Sequence, residues 1–494
     1  MTTRAAAHRE PRPPGPWAAL VALPFVALVV PAGLVLSGPL QSNGWPARLV
    51  AFWCAGMILL GWALPGRRRP GRVSPAEVGL WLMFAASAAA LAAAGMRTLS
   101  PEEEAGVLRA ALVIFPLLIV ALGVAQTADR RRLHLVLYAT VLALGVSAAV
   151  ALAQQLTPFT LSELIRPPGF VSTDGTGFGS RGDFTRVKGA AAHPIEFAVL
   201  GGALLPLCLH YARFTRRSWA RLAAVGALVL VVLAVPLTVS RSGILVVVVS
   251  MVVYSVVLTN RQRANVVLIA VMGAVLARAA APGLLGVIRS IFANAENDDS
   301  ITGRTEDYAL VDAFFAESPW VGHGLGTFRP EIYFFLDNQY LMAVVEGGLV
   351  LLVGTILLML LGVASSRGAR RRAVDQEGIS LAQAVTAGIA AIAVSGAFFD
   401  LFSFGQVTVV FFLLVGVAGA LWRRAVGSHD PLPRPRERFR AARAGLPGPT
   451  PSGATSTGTA AAGGAEGAAP PTVGEARGRA VGAIPRQGRT GVAP

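Results

Sequence analysis

The chain has 494 residues, 54% of them hydrophobic and only 14% charged, with a mean hydropathy of +0.60. That is too apolar for a soluble globule and suits a chain that crosses a membrane many times. The formal charge of +16 sits in short arginine clusters between apolar runs, a pattern that points to membrane orientation rather than to a nucleic-acid partner.

Residues 1–16, with Arg4, Arg9 and Arg12, read as a cytoplasmic N-terminus. The apolar run at 17–38 follows in the order of a secretion signal. It is long, contains Pro24 and Pro31 and lacks a clear small-x-small cleavage site, so an uncleaved first span is expected. A span takes about 20 apolar residues. On that measure others follow at 47–64, 77–96, 106–126, 134–155, 194–211, 220–239, 242–259, 265–282, 338–362, 380–398 and 402–422. The expected fold is therefore an all-α integral membrane protein of about 12 transmembrane helices, with residues 17–426 as one polytopic domain. Cys54 and Cys208 both fall inside apolar runs and read as small core residues.

Arginine clusters at 65–72, 129–132, 213–217, 260–263, 367–372 and 422–424 fall in every second connection. The positive-inside rule places these connections and both termini in the cytoplasm of a multi-pass cell-membrane protein. The other connections face out. They include the acidic "SPEEEAG" and two long loops, 156–193 and 283–337. The tail, 427–494, has almost no large apolar residues and is expected to be a disordered cytoplasmic segment, its first arginines able to lie on anionic headgroups.

Orientation accounts for cytoplasmic arginines but not for basic residues on the outer face. "RVKGAAAHPIEF" carries Arg186, Lys188, His193 and Glu196; "TVSRSGIL" carries Arg241 between the seventh and eighth spans; "ITGRTEDYALVDAFFAESPWVGHGLGTF" carries Arg304. The last of these predicts an amphipathic helix in the outer interface, stopped at Pro319 and followed by a flexible "GHGLG" turn. "LDNQYL" sets Asp337, Asn338, Gln339 and Tyr340 at the mouth of the tenth span, with Glu346 farther in, where a carboxylate is costly. Each has a structural alternative: headgroup snorkelling for Arg241, helix capping for Asp337, a helix start for Glu196, a hydrogen bond for Glu346. Arginines match phosphate oxygens bidentately, and a carboxylate can take a proton from a sugar hydroxyl. An outer-face cluster of this kind suits a pyrophosphate-linked lipid.

These four stretches resemble the O-antigen ligase and O-antigen polymerase superfamily of GT-C-like membrane glycosyltransferases. The matching pieces are "RVKGAAAHPIEFAVLGGALLPL", "LTVSRSGILVVVVS", "GRTEDYALVDAFFAESPWVGHGLGTF" and "LDNQYLMAVVEGGLVLLVG". The resemblance implies transfer of a glycan from an undecaprenyl-pyrophosphate carrier to an acceptor hydroxyl on the outer face, with neither metal nor nucleotide cofactor. It implies Arg241 and Arg304 as holders of the pyrophosphate, with Arg186 or Lys188 beside them. Where the family has a histidine as base, this chain has Asp337, while Asn338, Tyr340 and Leu341 keep the pattern. Asp337 is the expected base, with His193 as a conceivable substitute. Polymerase and ligase both remain open. A transporter or flippase favours inverted repeats and mid-membrane polar groups, whereas here the polar groups gather at one face. A non-catalytic assembly partner suits the tail but not the outer arginines.

Overall fold

The structure is a computed structural model and describes residues 17–38, 43–64, 72–126, 129–157, 159–173, 180–181, 184–280 and 310–427. Twelve helices stand at the twelve positions where spans are expected. They are α1 (Trp17–Val29), α2 (Pro46–Ala63), α3 (Pro75–Ala94), α4 (Pro101–Ala125), α5 (Arg130–Leu156), α7 (Pro194–Phe214), α8 (Ser218–Ala234), α9 (Arg241–Ser255), α10 (Asn260–Ala280), α11 (Gln339–Arg372), α12 (Gln376–Ser395) and α13 (Gly405–Gly427). The short α6 (Leu161–Leu164) lies in the first long loop. Among the described residues, nine helices are long and apolar enough to cross a membrane, and α1 and α9 are shorter apolar ones. The chain is an all-α integral membrane protein.

The span starts follow local chemistry. Pro46, Pro75, Pro101 and Pro194 occupy first helical positions, where a missing N–H costs nothing. Ser74 with Glu77, and Ser100 with Glu103, form reciprocal capping boxes on α3 and α4. Because helix direction alternates, the described arginine-rich connections fall at one end of the bundle. The stretches carrying Arg186, Arg241 and Asp337 fall at the other. One buried core runs through the bundle, with α3 against α11, α4 against α13, and α7 against α9 and α12. Cys54 and Cys208 are free and buried in it.

Three features differ from expectation. The first span stops at Val29, before Pro31, and the chain then forms β1 (Leu34–Leu36), antiparallel to β2 (Phe170–Ser172). A second short pair joins β3 (Ser180–Arg181) to β4 (Phe184–Thr185), so the first long loop carries strands in an otherwise helical chain. The "GHGLG" stretch is no exposed flexible turn. Gly322 and residues 324–328 are buried, with the three glycines at φ of 64°, 118° and 78°. Leu325 N donates to Ala90 O of α3 at 3.1 Å, and His323 and Gly324 N donate to Val345 and Glu346 O of α11, each at 2.9 Å. The α11 helix opens to receive them at Gly348, whose φ of 57° and ψ of −156° are outside the helical region.

The helix expected just before it is present at 310–317, but its apolar face meets protein. Val311 is buried, and Phe314 packs on Phe328, Tyr333 and the His323 ring. The expected tail lies almost wholly outside the described residues.

Candidate functional site

The first corner of the site joins the 186–192 segment to the α8–α9 hairpin. Gln154 of α5 clamps the segment's turn: its Oε1 accepts Lys188 N at 3.2 Å and Gly189 N at 2.9 Å, while its Nε2 donates to Gly189 O at 3.1 Å. So held, Arg186 donates through Nε to Thr238 O at 2.9 Å. Thr238 ends a 3-10 turn, Val235–Thr238. The next residue, Val239, is left-handed at φ 48° and ψ 49°, and is 1% exposed. A β-branched residue there costs about 1–3 kcal/mol. The strain turns the chain sharply, so that Ser240 caps α9 through its Oγ to Gly243 N and Arg241 becomes the first helical residue. Arg186 and Arg241 thus flank one rigid carbonyl corner.

His193 and Glu196 continue from it. His193 caps α7, its Nδ1 accepting Ile195 N at 3.2 Å. The imidazole is pushed down to about 4 by burial and by the Arg186 and Lys188 charges. It is therefore neutral near pH 7 and carries its proton on Nε2, because Nδ1 is taken; it is a donor there, not a base. Glu196, 0% exposed, accepts Ala192 N at 3.0 Å on Oε2, and Gln406 N at 2.8 Å and Val407 N at 3.2 Å on Oε1. Its carboxylate ties the 186–192 segment to the first turn of α13.

The rim around Asp337 is built in the same manner. Asn338 caps α11 by accepting Tyr340 N and Leu341 N at 2.9 and 3.2 Å. Gln339 reaches the α12–α13 connection twice: its backbone N–H donates to Gly396 O at 2.8 Å and its Oε1 accepts Phe402 N at 2.7 Å. Tyr340 Oη donates to Ala393 O at 2.6 Å. Glu346 accepts the backbone N–H groups of Gly326 and Phe328. Asp337 differs from these neighbours: it is exposed, and among the described residues no hydrogen bond or ion pair engages its carboxylate.

Sequence reasoning missed the connection that links the two corners, residues 396–404. His193 packs on Phe404, ring centroids 6.2 Å apart, and Phe404 packs on Phe399 at 5.3 Å. The same connection carries Asp400, which accepts from Ser403 Oγ and interacts electrostatically with Asp337 and Glu346. Burial pushes the Asp400 carboxyl up to about 6, with the Asp337 charge adding to it against the Ser403 bonds. A lone carboxylate in "SGAFFDLFSFG" was the available signal. The structure thus groups Arg186, Lys188, His193, Glu196 and Arg241 in one corner, and Asp337–Tyr340, Glu346 and Asp400 in the next. Arg304 lies outside the described residues.

Beneath the Arg241 corner is an apolar cleft of about 280 Å³ between α7, α8, α9 and α10. Leu205, Val235, Pro236, Ile244 and Met251 are among its lining. Among the described residues, no three His, Cys, Asp or Glu side chains are grouped to hold a metal ion.

Residues 226–356 match the family described as O-Antigen ligase. The match takes in Arg241, Arg304 and the 337–346 stretch; the 186–197 stretch and Asp400 lie outside it. No curated protein matches the chain. The match supports membership of the O-antigen ligase and polymerase superfamily, and with it a glycosyltransferase-like enzyme acting on lipid-linked glycans.

Proposed function

We propose that this superfamily member transfers a glycan from an undecaprenyl-pyrophosphate-linked donor to an acceptor hydroxyl at the outer face of the cell membrane. The observation that carries the reading is the position of the Arg186–Arg241 corner directly above an apolar cleft. A pyrophosphate can lie on the guanidinium groups while the first isoprene units enter the cleft. Arg304 belongs to the same clamp on this reading. Asp337, exposed at the neighbouring rim, takes the acceptor proton. The acceptor oxygen then bonds to the anomeric carbon as the carbon–oxygen bond to pyrophosphate breaks, and the lipid pyrophosphate leaves on the arginines. Lys188 lowers the cost of the charge that builds there. His193, Glu196, Asn338, Gln339, Tyr340 and Glu346 hold the two corners in register, which supplies orientation.

Membranes supplied with lipid-linked donor test this. Arg241→Ala should abolish transfer, and Arg241→Lys should restore only part of it, because lysine lacks the bidentate fork. Full transfer by a normally expressed Arg241→Ala protein would remove the clamp. The outer-face assignment is tested in a chain whose Cys54 and Cys208 are replaced. Glu331→Cys, at an exposed position on the motif-bearing end, should react with an impermeant maleimide in intact cells. Reaction only after permeabilisation would reverse the topology.

A further inference from the structure

At the opposite end of the bundle, a cleft of about 450 Å³ opens between the start of α5, the α11–α12 connection and the end of α13. We propose that this cleft binds the phosphate of an anionic phospholipid headgroup.

The lining carries four arginines, Arg130, Arg372, Arg423 and Arg424, against one aspartate, Asp375. Two of the arginines are held in place by carboxylates around the cleft. Arg130 meets Glu377 at 3.0 Å and Asp375 at 3.6 Å, and Arg423 meets Glu77 at 2.8 Å. Arg372 donates one N–H to Gly368 O of its own helix at 3.0 Å, and among the described residues no ion pair involves it. A guanidinium has five donors. One spent on a neutral carbonyl leaves Arg372 able to grip a phosphate in bidentate fashion.

The rest of the lining favours a lipid over a free anion. Leu133, Leu381 and Leu421 form an apolar wall inward of the arginines. The cleft lies where α5 and α12 begin and α11 and α13 end, which is headgroup depth for helices that cross a membrane. Basic pockets between spans at an arginine-rich face suit anionic headgroups. His134 of the lining is held by the packing behind it: its Nδ1 pairs with Tyr211 Oη at 3.2 Å. The cleft is remote from the Arg241 corner, so the inference does not depend on the transfer reaction.

The test uses the full chain in detergent, titrated with phosphatidylglycerol, phosphatidylcholine or inorganic phosphate. It is read by thermal unfolding and by lipid retained in native mass spectrometry. Phosphatidylglycerol should raise the unfolding midpoint and remain bound, and phosphatidylcholine should do neither. Arg372→Gln should weaken phosphatidylglycerol binding about tenfold, the size of one lost charge-assisted contact. It removes no ion pair among the described residues. Arg221→Gln, an exposed arginine at the same end but outside the cleft, should bind as the parent does. Unchanged binding by Arg372→Gln, or equal binding of the zwitterionic lipid, overturns the proposal. So does inorganic phosphate that displaces the lipid and reproduces its shift, which would make this a free-anion site.

Discussion

Glu196 separates a structural carboxylate from a chemical one. Its two oxygens accept three backbone N–H groups, one from Ala192 and two from Gln406 and Val407, which lie 210 and 211 residues along the chain from Glu196. Glu196→Ala strands the buried Gln406 and Val407 N–H groups, while the N–H of the exposed Ala192 can turn to water. Each buried, unsatisfied donor costs about 1–3 kcal/mol, so the expected loss is about 2–5 kcal/mol after partial relaxation. Glu196→Gln keeps an oxygen for Gln406 and Val407 but turns its NH2 toward the Ala192 N–H, a donor facing a donor. A loss of about 1–2 kcal/mol follows, offset in part because a neutral amide is cheaper to bury than a carboxylate. Thermal unfolding in detergent measures both variants, beside transfer from lipid-linked donor normalised to folded protein. The Ala variant should unfold many degrees early and the Gln variant slightly early, with Gln keeping most of its transfer per folded molecule. A Gln variant that melts like the parent yet transfers nothing would refute the reasoning, because Glu196 would then act on the reactants.

Asp337→Asn should abolish transfer while leaving the unfolding midpoint within a degree or so, since the side chain is exposed; a normally active Asn variant would end its role as base. Asp337→His should keep partial activity, with an optimum moved toward neutral pH because an imidazole titrates near 6.5. Gly348→Ala should cost about 3 kcal/mol or more, because a Cβ at φ 57° would collide with the Trp320 backbone; a midpoint equal to the parent's would refute the broken-helix geometry. The Asp400 carboxyl is raised to about 6 from an ordinary 3.8, so the folded state holds its proton more tightly than the unfolded chain does. Its contribution is fully present below pH 3.8 and is lost as pH rises through 6. Asp400→Asn should therefore stabilise the protein above pH 6 and flatten the profile between the ordinary 3.8 and about 6, and a destabilised Asn variant at pH 8 would contradict it.

The bundle was legible because each span writes its own signal: an apolar run, a proline or a capping residue at its start, and arginines at alternate ends. The site was legible only as a set of addresses. That Glu196 holds the first turn of α13, or that Gln339 holds Phe402, depends on partners 210 and 63 residues away, and no local pattern encodes such a pairing. "GHGLG" was misread for a related reason. Glycines at every second position serve a flexible turn and a backbone pressed between helices equally well, and only Ala90 and Val345 as hydrogen-bond partners decide between them. The first span's early end was readable in Pro31; that the chain then pairs with residues 170–172 was not.

Which carboxylate can serve as base follows from which carboxylates are already spent. Glu196 and Glu346 sit where chemistry is expected, but both already accept backbone N–H groups, so their acceptor lone pairs are engaged in holding segments together. His193 offers its acceptor nitrogen to Ile195 and keeps the other protonated. Asp400 is engaged by Ser403, and burial together with the neighbouring Asp337 charge raises the cost of ionising it. On the proposed reading Asp337 remains as the base: it is exposed at the rim, and among the described residues no hydrogen bond or ion pair engages its carboxylate.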